Sequence, residues 1–329
     1  MRRILIILGL LVVAALGVAV GTWQWLKTYY QANGPLAVPA TVIIHKGART
    51  IEIALRLKQA GVISNPKLFL WGIRLHAGPK PLRAGEYMFK PRMSLAQVIS
   101  HLQMGKTVVR KVTIAEGLSN LEVAKILANT PGLSGLLGPL PTEGQLLPET
   151  YHFSYGHSRR GLVKRMRQAM THLLSEAWPH RASGLPLKTP TEALILASIV
   201  EKETGVVSER RRVASVFINR LRIGMRLQSD PTVIYGITEG RKPFDRSITK
   251  SDLRLKTAYN TYVIKGLPPA PITNPGRAAI LAVLNPANTE DLYFVADGSG
   301  GHAFARTLSE HNRNVAKWRK IERVRKKEN

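Results

Sequence analysis

Twenty consecutive residues, Ile4 to Trp23, contain no charged side chain. As a helix rising about 1.5 Å per residue, this run spans the roughly 30 Å hydrocarbon core of a bilayer. Arg2 and Arg3 precede it and only Lys27 follows soon after, which predicts a single transmembrane helix with residues 1–3 as a cytoplasmic stub. Trp23, Trp25, Tyr29 and Tyr30 read as an interfacial aromatic belt. A cleaved signal peptide with its site near Gly17-Val18-Ala19 is the rival reading. The length of the run favours the anchor, and either reading exports the rest of the chain.

A linker over 24–40 contains Asn33-Gly34-Pro35 and Pro39, and the pattern then becomes amphipathic. Thr41 to Ile44 predicts a strand and Lys46-Gly47 a turn. Thr50 is the expected cap of a helix with Ile51, Ala54, Leu55 and Leu57 on its face, ended by Gly61. Asn65-Pro66 opens a second helix, Gly85 to Phe89 is strand-like, and Ser94 caps a helix ended by Gly105. Residues 41–107 therefore form a small α+β module. From 108 onward the chain predicts a larger α+β domain reaching 329. It begins with a strand over Val108 to Ile114 and a helix through Leu121 and Leu127. A Gly- and Pro-rich surface loop over Pro131 to Pro148 precedes a helical stripe from Ser158 to Trp178. Short strands near Leu292 and Gly301 and a basic C-terminal helix complete it.

Composition narrows the chemistry. Hydrophobic residues make up 44% and charged residues 21%, a folding composition. The net charge of +27 points to an anionic partner without choosing one. Cysteine is absent, which excludes disulfide scaffolds, thiolate nucleophiles and Cys-based metal sites. The nine histidines are scattered and no His-Glu-x-x-His occurs, so no metal or other cofactor is expected. No nucleic-acid signature appears either, and export disfavours that partner. Arg159, Arg160, Lys164, Arg165 and Arg167 read as a solvated basic face.

One segment carries candidate chemistry. Thr189-Pro190-Thr191-Glu192 opens a helix whose residues Leu194 to Val200 are apolar on nearly every side, the pattern of a buried helix. It ends in Glu201-Lys202-Glu203. Desolvation and the negative end of the helix dipole both raise a carboxyl pKa there, as a general acid requires. At about 100° per residue the two glutamates lie about 200° apart. Glu203 lies over Leu196, Ile199 and Val200, and this more apolar face favours it over Glu201. The bland alternative pairs either glutamate with Arg210, Arg211 or Arg212, in a helix that Ser208 is expected to cap. Met225 to Gly236 reads as a loop dense in hydrogen-bonding groups. With Thr257 to Tyr262, it suggests a sugar cleft.

The runs Ala197 to Thr204, Val216 to Leu221, Leu227 to Tyr235, Tyr259 to Tyr262, Gly266 to Pro269 and Tyr293 to Gly298 closely resemble the endolytic murein transglycosylase family (MltG/YceG-like). The resemblance covers nearly the whole chain and identifies residues 41–107 as a LysM-like module. It implies a peptidoglycan lytic transglycosylase in the cell inner membrane, with peptidoglycan glycan strands as substrate and cell-wall synthases as partners. It puts the catalytic role on Glu203 and implies substrate binding by Asn219, Gln228, Asp230, Tyr235, Tyr259, Asn260, Tyr262 and His302. Asp230 is open to two readings, a second carboxylate or an Asx cap before Pro231. His302, after Gly300-Gly301, either lines the cleft or ends a strand. Between Glu116 and Tyr151 the match is looser, with Gln145 and Leu147 standing where the family carries large aromatics. A second function class, a non-catalytic wall-binding or spacer protein, is disfavoured by a carboxyl kept at the end of a buried helix.

Overall fold

The computed structural model describes residues 2–76 and 78–328; Met1 of the expected stub, Ala77 and Asn329 lie outside them. The described residues mix helix and strand behind an N-terminal apolar helix, α1 (Arg2–Gln31). That helix has the length and apolarity of a membrane span, features that a signal sequence shares.

The chain divides into two compact units, one of residues 1–110 with 152–157 and the other of residues 111–151 with 158–329. In the first unit α1 is followed by β1 (Ala40–Ile44), α2 (Thr50–Gln59), α3 (Pro66–His76), β2 (Gly85–Phe89) and α4 (Leu95–Met104). β1 and β2 pair antiparallel, with Val42 opposite Tyr87. Their inward side chains join Leu57, Phe69, Val98, Ile99 and Leu102 in one core. Ser94 caps α4 as its sequence predicts, and Gly105 closes it in the left-handed conformation. Thr50 does not cap α2. The cap position is Arg49, whose backbone N–H donates to Glu52 Oε2 at 3.2 Å. The aromatic belt also divides: Trp25 is exposed, whereas Tyr29 and Tyr30 pack against the core of this unit.

After β3 (Val109–Thr113) come α5 (Asn120–Asn129), β4 (Leu133–Ser134), β5 (Thr150–Ser154), β6 (His157–Ser158) and α6 (Arg159–Ala177), with residues 109–110 of β3, 152–154 of β5 and His157 of β6 counted in the first unit and the rest in the second. Next come α7 (Pro190–Glu203), α8 (Arg210–Arg222), α9 (Asp230–Thr238) and α10 (Arg277–Leu284). β7 (Tyr293–Ala296), β8 (His302–Ala305) and α11 (Leu308–Glu328) complete the chain. β3 pairs with β5 and β4 with β6, and β7 with β8 forms an antiparallel hairpin. α7 runs through the middle of the core with α8 and α10 against it, and Ala193 to Val200 are all buried. Burial on every side is why this helix shows no amphipathic stripe.

Three local expectations need correction. The stretch Pro131 to Pro148 is not wholly a surface loop, because Leu146 and Leu147 enter the core. Ser208 lies in a 3₁₀ turn (Val207–Glu209), and Glu209 holds the cap position of α8 without a side-chain cap bond. Arg159 is not merely solvated: its guanidinium donates to the carbonyls of Leu127, Ala128 and Gly135, satisfying the last turn of α5 and the loop beyond.

Candidate functional site

The fully buried run of α7 ends at Val200, and Glu203, its last residue, is partly buried. Most of the segment expected to be a loop over Met225 to Gly236 instead contains α9. Asp230 and Pro231 occupy its first turn, where an acidic side chain and a proline both favour a helix start. Ser229 stands at the cap position yet makes no cap bond. Its hydroxyl donates to Glu203 Oε1 in a very short hydrogen bond. The Ser229 backbone N–H is held by Thr261 Oγ1 at 2.9 Å, and Thr261 Oγ1 lies 2.8 Å from Thr232 Oγ1. Gln228, just before, adopts the left-handed conformation at φ 52°. The segment after α9 thus fixes where the Ser229 hydroxyl points.

Burial raises the carboxyl pKa of both glutamates of the motif, and their partners tell them apart. Burial pushes the Glu203 carboxyl up to about 7, and the charge of Asp230 adds to this. The Ser229 hydrogen bond, His302 and Arg220 pull the other way. Arg220 is itself buried; it donates to the Leu292 carbonyl at 2.7 Å and to the Leu227 carbonyl. Glu201 is a paired structural group. Its Oε1 meets Arg210 at 3.1 Å and its Oε2 accepts the Gly276 N–H at 2.8 Å. Arg210 also bridges to Glu116 at 3.1 Å. At Gly276 a Cβ would come 1.8 Å from Glu116 Oε1, so a larger residue would push the Glu116 side chain aside.

Several of the residues expected at the site gather near Glu203. Tyr262 donates its hydroxyl to Asp230 Oδ1 at 2.6 Å, and burial with the Asp230 carboxylate keeps that phenol protonated. Asp230 is exposed and does not serve as an Asx cap; it accepts from Tyr262. His302 is held by Glu209, whose Oε2 lies 2.8 Å from Nδ1 and whose Oε1 accepts the His302 backbone N–H at 2.9 Å. The Gln228 side chain is exposed.

Others lie apart. Tyr235 and Tyr259 meet edge to face at 4.8 Å, beside Glu143 rather than Glu203. The Asn219 amide is engaged by the carbonyls of Thr289 and Asp291. Asn260 is fully buried and donates to the backbone of Asp252, Leu253 and Leu255. Both asparagines act here as scaffold, because their polar atoms are already engaged. Ser229 and Arg220 join the site through the fold, and in sequence only the Ser-Asp-Pro helix start hints at the former. Among the described residues no group of three or more His, Asp or Glu is arranged to hold a metal ion.

An α+β unit with a serine-bonded, buried carboxyl at the end of its central helix defines the class of site. The family model of the YceG-like proteins matches residues 42–317, and the chain belongs to that family. An endolytic murein transglycosylase of Bacillus subtilis is 30% identical over 311 residues, covering 84% of this chain and 83% of the relative. One from Streptococcus pneumoniae is 28% identical over 323 residues, covering 84% of this chain and 58% of the longer relative. The crystal structure of a YceG-like protein from Listeria monocytogenes matches with a TM-score of 0.51 at 29% identity, over 84% of this chain and 98% of that one.

Proposed function

We infer that this protein is an endolytic murein transglycosylase that cleaves the bond between N-acetylmuramic acid and N-acetylglucosamine within glycan strands. The observation that carries the reading is the single carboxyl of Glu203, raised to about 7 by burial at the end of α7. Protonated, it donates to the glycosidic oxygen as the bond to C1 breaks. As a carboxylate, it takes the proton of the muramoyl 6-hydroxyl, whose oxygen forms the new bond to C1. The product is a 1,6-anhydromuramoyl end. The attack is intramolecular, so orientation supplies much of the rate and no water need be positioned. Hydrolytic glycosidases typically use two carboxyl groups flanking the bond. Here the Ser229 hydroxyl supports the carboxylate form between the two transfers. Asp230 and Tyr262 present a hydrogen-bonded pair for sugar hydroxyls.

In this reading residues 41–107 act as a LysM-like glycan-binding module and 108–329 as the catalytic domain, with residues 4–23 anchoring both to the outer face of the inner membrane. Cell-wall synthases are the partners that such a position suits, and trimming of nascent strands is the role. Mass spectrometry of products released from purified sacculi tests the reaction. Anhydromuramoyl ends are expected, and reducing muramic acid ends would make water the acceptor and overturn it. For the anchor, the intact chain should stay with membranes through a carbonate wash, and a mature N-terminus near Val20 would overturn that.

A further inference from the structure

Beside the carboxyl cluster the second unit carries a cleft of about 430 Å³ that the proton transfers at Glu203 do not use. Lys202 and Pro231, the chain neighbours of Glu203 and Asp230, both line it. Lys125, Lys202 and Lys242 on its walls take part in no ion pair among the described residues. Lys202 makes a long contact of 3.5 Å with the Gly117 carbonyl, and its charge also acts on Glu201 without an ion pair. Arg241, also on the wall, is already paired with Glu239 at 2.9 Å. The one acid lining the cleft, Glu122, has Oε2 committed to the backbone N–H and hydroxyl of Ser119, at 2.8 and 2.9 Å. Thr273 also lines the cleft, 2% exposed, and its buried hydroxyl has no hydrogen-bond partner. An unsatisfied buried hydroxyl is costly, and a ligand atom admitted beside Thr273 would satisfy it.

Three unpaired ammonium groups and an unused hydroxyl donor suit an anion better than a neutral sugar. Tyr235 and Phe244 add apolar surface for small aliphatic side chains. We propose that the cleft binds the carboxylates of the peptide stem that muramic acid carries on its lactyl ether. The inference rests on murein being the substrate. It makes the stem, as well as the glycan, part of what the enzyme recognises.

Equilibrium binding to Glu203→Gln protein reads the cleft without turnover. The probes are murein oligosaccharides with intact stems, the same oligosaccharides with stem carboxylates amidated, and stem-free oligosaccharides. Intact stems should bind about tenfold more tightly than either of the others, the scale of one charge-assisted hydrogen bond. Adding Lys125→Met and Lys242→Met should erase that difference while the thermal midpoint is retained. Equal affinity for all three probes, or a preference that survives the double lysine change, would overturn the proposal. Failure to form anhydro ends in the product analysis would instead strike the transglycosylase reading, so the two failures are distinguishable.

Discussion

Ser229 stands at the cap position of α9, but its hydroxyl turns away from that helix and donates to Glu203 across 26 residues of chain. A serine at a helix start ordinarily satisfies one of the free backbone N–H groups. Here the bond goes to a carboxyl that burial would otherwise keep protonated. The balance between those two effects holds Glu203 near neutrality rather than far above it.

Ser229→Ala removes a donor to the charged form, so the Glu203 pKa should rise. The alkaline limb of the rate profile should then move to higher pH by about one unit, since a hydrogen bond to a charged group is worth about 1.5–3 kcal/mol and one unit is about 1.4. A pH series of kcat on purified glycan strands measures it. A limb that stays in place would show that the serine does not set this pKa.

Glu203→Gln keeps the side-chain size but cannot transfer a proton. Formation of anhydro ends should fall by about 10²–10⁴-fold, the usual contribution of a general acid. In the unmodified enzyme the acid form is lost as pH rises through about 7, so the rate should decline there. Product chromatography against pH follows both, and near-normal turnover by the variant would dismiss Glu203 as the acid.

Glu201→Gln should act on stability instead. The change strands buried Arg210, and removing one partner of such a pair costs about 3–5 kcal/mol. Glu116 remains as a second partner, so the lower end is expected. Urea titration should show this loss while the surviving folded enzyme still yields anhydro ends. A fully stable but inactive variant would reverse the roles of the two glutamates.

Glu143 is a second, partly buried carboxyl raised to about 7, chiefly by loss of water, although it accepts the Asn120 N–H. A carboxyl with a raised pKa binds more protons folded than unfolded between its ordinary 4.5 and about 7. Its stabilising contribution is therefore complete at low pH and is lost as pH rises through about 7, by at most about 1.4 kcal/mol per pH unit for each such group. Glu143→Gln should flatten the fall in unfolding free energy between pH 5 and 8. An unchanged slope would assign the effect elsewhere.

Residue pattern alone located most elements, because helix starts and ends are written in local chemistry. Ser94 and Thr189 cap helices where their sequences say, and Gly105 ends one. α9 was hidden because Asp-Pro serves equally as a turn signal and as a first helical turn. The apolar surround of α7 and the carboxyl at its end were likewise legible, since burial on every side leaves a run with almost no polar position.

Which residues serve chemistry and which serve scaffold was decided by packing. Asn219 and Asn260 look like sugar-binding amides in sequence, yet both are committed to backbone carbonyls. Glu201 and Glu203 are two residues apart, but the fold gives one an arginine and the other a serine. Ser229, Tyr262 and the Glu209–His302 pair come from segments distant in the chain. A buried helix ending in acids and the apolar N-terminal segment before it are readable from hydrophobic content along the chain alone. Which acid forms a salt bridge and which one meets a hydroxyl depends on contacts between distant segments, and local sequence does not encode those.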